Sequence, residues 1–148
     1  DTGAGIHDTV LHLNTIADRR VIVTTPEPHA LTDAYALIKV LTEEHHLGRF
    51  ELIVNMAHSL SEGQAIARRM QEVVTNYLQA DLNHLATIPF DPNIGRLVLQ
   101  RRSLSAELLR SNAGQSWREA LKDLVAQQQR LGLQQRTARE IFQEVTRT

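Results

Sequence analysis

Hydrophobic residues along the first two thirds of the chain follow two alternating patterns. Short runs rich in β-branched residues, each followed by Pro, Gly, Ser or Asn, are typical of strands and occur at residues 20–25, 50–55 and 85–88. Hydrophobic residues at the i, i+3, i+4, i+7 spacing predict helices over residues 30–45 and 61–79, and a shorter helix is predicted over residues 8–17. Strands that alternate with helices indicate an α/β fold with a mostly parallel sheet flanked by helices.

The pattern changes near residue 93, after which the chain is predicted to be helical. Three helices are expected, at residues 93–101, 114–131 and 135–147. We therefore divide the chain into an α/β part, residues 1–104, and a helical C-terminal extension, residues 105–148.

Charge is distributed unevenly between these two parts. The net charge of the chain is −1, but residues 1–98 sum to −5 and residues 99–148 to +4. The basic C-terminal segment suggests an anionic partner such as a membrane surface, although a solvated, arginine-rich helical surface is the interpretation we favour.

Composition excludes several kinds of site. The chain has no cysteine, so it forms neither disulfides nor thiolate metal sites, which is compatible with a reducing cytoplasm. No two of its seven histidines have the i, i+4 spacing of a zinc-binding helix, and there is no G-x-S-x-G run of a serine hydrolase. No apolar run approaches the roughly 20 residues that span a bilayer.

Ligands of open parallel sheets bind beyond the carboxyl ends of the strands, so the segments expected there are candidates for a binding site. Asp1 could hold magnesium through water, and Gly3 and Gly5 would let backbone N–H groups approach a phosphate; a tight turn is the alternative. Asp33 is expected in the first turn of the helix over residues 30–45, where a capping role explains a carboxylate equally well.

Two further segments offer groups suited to a nucleotide base. Asn55 carries both a donor and an acceptor, which fits a base edge or, alternatively, a hydrogen bond to the adjoining turn. Pro89, Phe90 and Asp91 form a rigid loop that could frame a planar ring or could be only a proline-rich turn.

Taken together, these segments resemble the MinD-like P-loop ATPases, most closely the FlhG/FleN (YlxH) branch that controls bacterial flagella. The order and spacing match over roughly residues 1–100. The segments that carry the resemblance are Asp1-Thr2-Gly3-Ala4-Gly5-Ile6, Thr25-Pro26-Glu27-Pro28, residues 31–41 (LTDAYALIKVL), Val54-Asn55-Met56 and Ile88-Pro89-Phe90-Asp91.

The resemblance implies a role for each site residue within a SIMIBI-type P-loop fold. Asp1 would be the switch II carboxylate near a water-bound magnesium ion and the attacking water, Gly3 would contact the nucleotide, and Gly5 would place its amide at the γ-phosphate. Asp33 would lie at the dimer interface, and Asn55 would contact adenine. The residues expected to frame the ring are Pro89, Phe90 and Asp91. The chain departs from the branch at two positions, His58, where arginine is usual, and Pro92, where an acidic residue is common.

The lysine-bearing phosphate loop of such ATPases is not found in this sequence. The motif is G-x-x-x-x-G-K-[ST], and neither Lys39 nor Lys122 follows a glycine. We therefore expect the chain to be the C-terminal half of an ATPase that uses ATP and Mg²⁺. By itself the chain is predicted to be inactive, to bind neither ATP nor Mg²⁺ tightly, and to expose an unpaired sheet edge.

The resemblance also implies partners and a location. The intact protein would be an ATP-dependent homodimer in the cytoplasm, with a FlhF-type GTPase and a flagellar transcription activator as partners and no direct contact with nucleic acid. The last helix could bind the inner membrane peripherally, although packing onto the domain is favoured; its apolar stripe is Ala138, Ile141, Phe142 and Val145. Two alternatives stay open: another MinD/ParA-like positioning ATPase, or a non-catalytic protein-interaction module that lacks the phosphate loop.

Overall fold

The computed structural model describes residues 8–99 and 110–126 of the 148-residue chain. Helices and strands alternate along it, as the hydrophobic pattern predicts. The elements are α1 (Asp8–Ile16), β1 (Val21–Thr24), α2 (Pro28–Glu43), β2 (Arg49–Ala57), α3 (Leu60–Leu78), β3 (Asp81–Pro89) and α4 (Pro92–Leu99). Residues 112–126 are also helical.

The three strands form one parallel sheet in the order β1-β2-β3. β2 is therefore the central strand; Ile22 of β1 pairs with its Leu52, and Val54 of β2 pairs with Thr87 of β3. A parallel connection requires a crossover, and α2 and α3 supply the two crossovers. The predicted α/β fold with a parallel sheet flanked by helices is confirmed.

One face of the sheet is covered by α2 and α3. Ile38 and Leu41 of α2, with Val74 of α3, are fully buried against the sheet residues Leu52 and Val54. These helix positions recur at the spacing of one helical stripe, so each helix directs its apolar face to the sheet and its polar face to solvent. Burying side chains of this size stabilises the fold by about 1.5–3 kcal/mol each.

The opposite face is covered by α4 and by helical residues 112–126. Ile53 of β2 and Ile88 of β3 are buried there with Ala113, and Ile94 and Trp117 pack against them. Because β2 is covered on both faces, its central residues are all apolar rather than alternating with polar ones, as expected for a parallel sheet between helices.

An arginine joins the sheet to the helix over residues 112–126. Arg19, in the loop before β1, forms an ion pair with Glu51 of β2, and its Nη1 donates to the carbonyl oxygen of Leu124 at 2.8 Å. Arginine presents several donors in a fixed fork, so one side chain can serve a carboxylate and a helix carbonyl together. This contact holds the C-terminal helical segment over the second face of the sheet.

Several element boundaries differ from the sequence predictions, and two of the differences affect the interpretation. β3 begins at Asp81, four residues before the predicted run, because its first half is held by pairing with β2 although Asp81 and Asn83 are exposed. α2 begins at Pro28 with Glu27 as its N-cap, so Asp33 lies in the second turn of the helix. The interpretation of Asp33 as a first-turn capping residue is therefore wrong.

Several predictions about the C-terminal part lie at least partly outside the described residues. The helix expected over residues 114–131 is present over residues 112–126, and the helix expected over residues 135–147 falls outside the described part of the chain. The boundary between residues 104 and 105 also falls outside it and stays a prediction.

A glycine brings α3 close to β3. An added Cβ at Gly63 would overlap the Cγ2 and Oγ1 atoms of Thr87, a buried residue of β3. The Cβ of Thr87 would lie only 2.9 Å from the added atom, and it belongs to a strand paired with β2, so rotating the Thr87 side chain would not relieve the overlap.

Gly63→Ala is expected to destabilise the protein. Alanine favours a helix over glycine by about 1 kcal/mol, but overpacking a core costs typically about 1–3 kcal/mol, and the second effect should exceed the first here. Urea unfolding followed by circular dichroism measures the difference.

Gly95→Ala in α4 is the matched control, because an added Cβ there meets no atom within 4 Å among the described residues. It should leave stability unchanged or raise it by up to about 1 kcal/mol. Equal effects of the two substitutions would contradict the close approach of α3 to β3.

Candidate functional site

The carboxyl ends of β2 and β3 lie side by side. Ala57, the last residue of β2, pairs with Pro89, the last residue of β3, and the N–H of Phe90 donates to the carbonyl oxygen of Ala57 at 2.8 Å. Asn55 is two residues before Ala57. The structure therefore brings Asn55 together with Pro89 and Phe90 at one edge, as the sequence predicts for a site at strand ends.

The end of β2 departs from regular pairing at Asn55 and Met56. Val54 pairs with Thr87 and Ala57 pairs with Pro89, so two residues of β2 lie opposite the single residue Ile88 of β3. Two residues against one define a β-bulge, a feature that redirects side chains next to functional sites. Met56 has a left-handed backbone with φ 57°, and its N–H donates to Oδ1 of Asn55 at 3.0 Å.

Apolar side chains at the same edge are open to solvent. Phe90 is 50% exposed and Met56 48%, and Leu60 at the start of α3 is exposed as well. An exposed aromatic face beside an amide that both donates and accepts is suited to a planar, hydrogen-bonding ring.

Asp91 has a structural role in this loop. Its Oδ1 accepts a hydrogen bond from the N–H of Asn93 at 2.9 Å, and Pro92 is the first residue of α4. Proline is favoured at a first helical position because its missing N–H would have no partner there. The departure at Pro92 is thereby explained as a helix start, and the Asp91 side chain fixes the loop that carries Phe90.

The turn between β2 and α3 is held by a reciprocal cap. Ser59 is the N-cap of α3 and its Oγ accepts from the N–H of Glu62 at 3.1 Å, while Oε2 of Glu62 accepts from the N–H of His58 at 2.6 Å. The side chain of His58 is exposed. This arrangement satisfies two backbone donors and fixes the backbone that follows Asn55 and Met56.

The end of β1 contributes hydroxyl groups. Thr24 is buried, and Oγ1 of Thr25 is buried with no hydrogen-bond partner among residues 8–99 and 110–126. Asp33 is exposed on α2, beyond the turn that follows β1. The roles predicted for Asp1, Gly3 and Gly5 concern residues outside the described part of the chain, so they stay predictions.

His84 lies on β3 behind this edge and is half-buried. Its Nε2 is 3.0 Å from Oγ1 of Thr87. Burial lowers the pKa of His84 from the ordinary value of 6.5, because an uncharged imidazole is easier to desolvate, and a hydrogen bond with the backbone of Ala86 acts in the opposite direction. Burial therefore favours the neutral form of His84 in the folded protein.

Two curated proteins are similar to this chain over most of its length. The antiactivator FleN of Pseudomonas aeruginosa is 36% identical over 113 residues, and the flagellum site-determining protein YlxH of Helicobacter pylori is 38% identical over 105 residues. These similarities support a FlhG/FleN-like relationship for the chain. The matches include 76% and 70% of this chain but only 40% and 35% of the two relatives, so the chain spans well under half of their length. No family model matches it.

Two kinds of feature were not found in the part of the chain that the structure describes. None of its helices is long and apolar enough to cross a membrane. No group of three or more His, Asp or Glu side chains is arranged to hold a metal ion there.

The sequence predicts Asn55 and Pro89–Asp91 as candidate site residues but indicates no role for Met56. The methionine is apolar and follows a buried run, so its residue type indicates nothing about its backbone. Asparagine and glycine are the residues that signal a left-handed conformation, and neither occupies position 56.

The lowered pKa of His84 predicts a pH dependence of stability. The pKa in the unfolded chain lies above that in the folded protein, so protonation favours unfolding, and the free energy of unfolding should fall as the pH is lowered through 6.5 toward the folded-state pKa. The substitution His84→Gln should reduce this decrease in the free energy of unfolding between pH 7 and pH 5. Urea unfolding at each pH measures it.

His29→Gln on α2 is the control, because that side chain is exposed. It should keep the pH dependence of the unsubstituted protein. An unchanged slope in His84→Gln would show that protonation of His84 is not coupled to folding.

Proposed function

We propose that the carboxyl edge of β2 and β3 binds the adenine base of ATP, within a MinD-like ATPase that controls the number and placement of flagella. The observation that carries the proposal is the juxtaposition of Asn55 with Pro89 and Phe90 across one pair of strand ends. It is supported by the relationship to FleN and YlxH, whose names describe an antiactivator and a flagellum site-determining protein.

The chemistry of the described residues fits a purine ring. Asn55 can pair with an adenine edge through one donor and one acceptor, which is the usual pairing of asparagine with adenine. Phe90 offers a half-exposed aromatic face on which the ring can stack, and Pro89 and Asp91 hold that face in place. No charged side chain is required for binding an uncharged base.

The phosphate end of the nucleotide would be handled by the N-terminal segment. Gly3 and Gly5 would offer backbone N–H groups to the phosphates, and Asp1 would orient the attacking water and hold Mg²⁺ through water. ATP supplies the phosphoryl group that is transferred to water, and the protein contributes by positioning and by neutralising charge. The part of the protein described by the structure would then serve to orient the base.

Dimerisation and partners form the remaining part of the proposal. Asp33, exposed on α2, would face the nucleotide site of a second subunit in an ATP-dependent homodimer. A FlhF-type GTPase and a flagellar transcription activator would be the partners. The protein would act in the cytoplasm, with the last helix as a peripheral contact to the inner membrane.

Asn55→Ala in the full-length natural protein is expected to weaken ATP binding by about 5- to 150-fold, since a bidentate amide–adenine pair contributes roughly 1–3 kcal/mol. Fluorescence titration with a ribose-labelled ATP analogue measures the dissociation constant. Phe90→Ala should weaken binding similarly through lost stacking.

Asn76→Ala is the matched control, because Asn76 is an exposed residue of α3 in the helix half away from the strand ends. It should bind ATP like the unsubstituted protein. Unchanged ATP affinity in both Asn55→Ala and Phe90→Ala would refute adenine binding at this edge.

A second candidate function, a protein-interaction module, is favoured by β1, one of the two outer strands of the sheet in the described part of the chain. Among residues 8–99 and 110–126, β1 pairs with β2 alone, and Val23 on β1 is 52% exposed. An unpaired strand edge next to an exposed apolar side chain can add a strand from another chain.

This edge predicts self-association of the 148-residue chain. Sedimentation velocity over a range of concentrations should show a dimer or larger species that increases with concentration. Val23→Lys should shift the equilibrium toward the monomer, because charge on an edge strand opposes pairing. A strictly monomeric profile of the unsubstituted chain would contradict the prediction.

A further inference from the structure

We propose that Met56 is a positioning residue whose left-handed backbone fixes the amide of Asn55, so that the site selects a 6-aminopurine over a 6-oxopurine. The proposal rests on the proposed function, because it concerns the base that Asn55 contacts. It adds a cause for the base selectivity, namely the backbone conformation of Met56. The methionine side chain itself has no role in recognising the base.

Three described non-glycine residues have positive φ, and two of them have an ordinary explanation. Gln79 (φ 53°) is the C-cap of α3, and His46 (φ 56°) follows α2, with its N–H donating to the carbonyl oxygen of Thr42 at 3.1 Å. Helices commonly end in a left-handed residue. Met56 (φ 57°) instead lies inside a strand, where this conformation opposes the regular backbone and ends no helix.

The β-bulge shows what the conformation does to the strand. Side chains alternate between faces in a regular strand, so residues three apart lie on opposite faces. Val54 and Ala57 are three apart, yet both are fully buried in the same core cluster beneath α2 and α3. The bulge formed by Asn55 and Met56 therefore contains one residue more than the segment of β3 opposite it. Both residues lie outside the regular ladder, while the strand is buried on either side of them.

The hydrogen bond within the bulge fixes the Asn55 side chain. A backbone N–H can only donate, so the atom it meets at 3.0 Å is the amide oxygen of Asn55 and not the amide nitrogen. Flipping the amide would place two donors against each other. Among residues 8–99 and 110–126, no other group pairs with this amide, so Oδ1 keeps one lone pair and Nδ2 its two hydrogens for a ligand.

This fixed orientation discriminates between purines. A 6-aminopurine offers a donor next to a ring acceptor, which matches the free lone pair of Oδ1 and a hydrogen of Nδ2. A 6-oxopurine offers an acceptor in place of the donor, which would face Oδ1 and repel it. A freely rotating amide could turn its nitrogen to that acceptor, so selectivity depends on the bond from Met56.

The role belongs to the backbone and not to the methionine side chain. That side chain is 48% exposed. Glycine adopts positive φ at little cost, whereas a β-branched residue is strongly disfavoured there. Met56→Gly should therefore preserve the arrangement, and Met56→Val should remove it.

The test measures binding of ATP and of inosine triphosphate, its 6-oxo analogue, to variants of the full-length natural protein. The unsubstituted protein and Met56→Gly should both prefer ATP by about tenfold or more, and Met56→Val should lose most of that preference. Gln79→Val is the matched control: it strains a left-handed residue at the far end of α3 and should lose stability without losing selectivity.

A second readout is independent of the nucleotide. In NMR spectra, the backbone amide of residue 56 should show the small temperature coefficient of a hydrogen-bonded N–H in the unsubstituted protein and in Met56→Gly, and a larger one in Met56→Val. A Met56→Val variant that remains folded and keeps full preference for ATP would overturn the proposal.

The failures of the two proposals are distinguishable. ATP binding that depends on Asn55 but shows no preference over inosine triphosphate would leave the proposed function standing and overturn the selectivity of Met56. Failure to bind either nucleotide would overturn the proposed function and this inference together.

Discussion

The structure depends on the parallel pairing of a central strand that is buried from both sides. Leu52, Ile53 and Val54 of β2 are at most 1% exposed, with α2 and α3 on one face and α4 with residues 112–126 on the other. Burial on both faces fixes the register, since a shift by one residue would exchange the two faces. Parallel strands all end at the same edge, so this register also determines which residues meet there.

The bulge at Asn55 and Met56 is possible because the backbone around it is held so firmly. Val54 before it and Ala57 after it are fully buried, and the carbonyl oxygen of Ala57 accepts a hydrogen bond from the N–H of Phe90. A left-handed non-glycine residue costs of order 1–3 kcal/mol and persists only where its surroundings determine it. The cap formed by Ser59 and Glu62 adds a second anchor directly after the bulge.

Sequence similarity and the geometry of the strand ends support different parts of the interpretation. Similarity to FleN and YlxH supports a FlhG/FleN-like relationship, and the geometry shows how residues far apart in the sequence come to lie at one edge. Asn55 and Phe90 are 35 positions apart, but the bond between Phe90 and Ala57 makes them neighbours at the sheet edge. Pro92, which follows this loop, is the first residue of α4.

The sequence alone was sufficient for the order of helices and strands, because hydrophobic periodicity is a local property that each segment carries by itself. It also indicated Asn55 and Pro89–Asp91 as site residues, since polar and proline residues after apolar runs mark strand ends. The start of β3 at Asp81 could not be predicted in this way, because exposed polar residues there are held by the ladder to β2 and not by their own preference.

Tertiary structure decided the features that depend on two segments at once. The bulge exists only relative to β3, where Ile88 alone lies opposite Asn55 and Met56. The lowered pKa of His84 depends on burial, and the need for glycine at position 63 depends on Thr87 of a strand more than twenty residues away. Residue type encodes what a segment prefers, whereas strain, burial and close approach arise only when another part of the chain is packed against it.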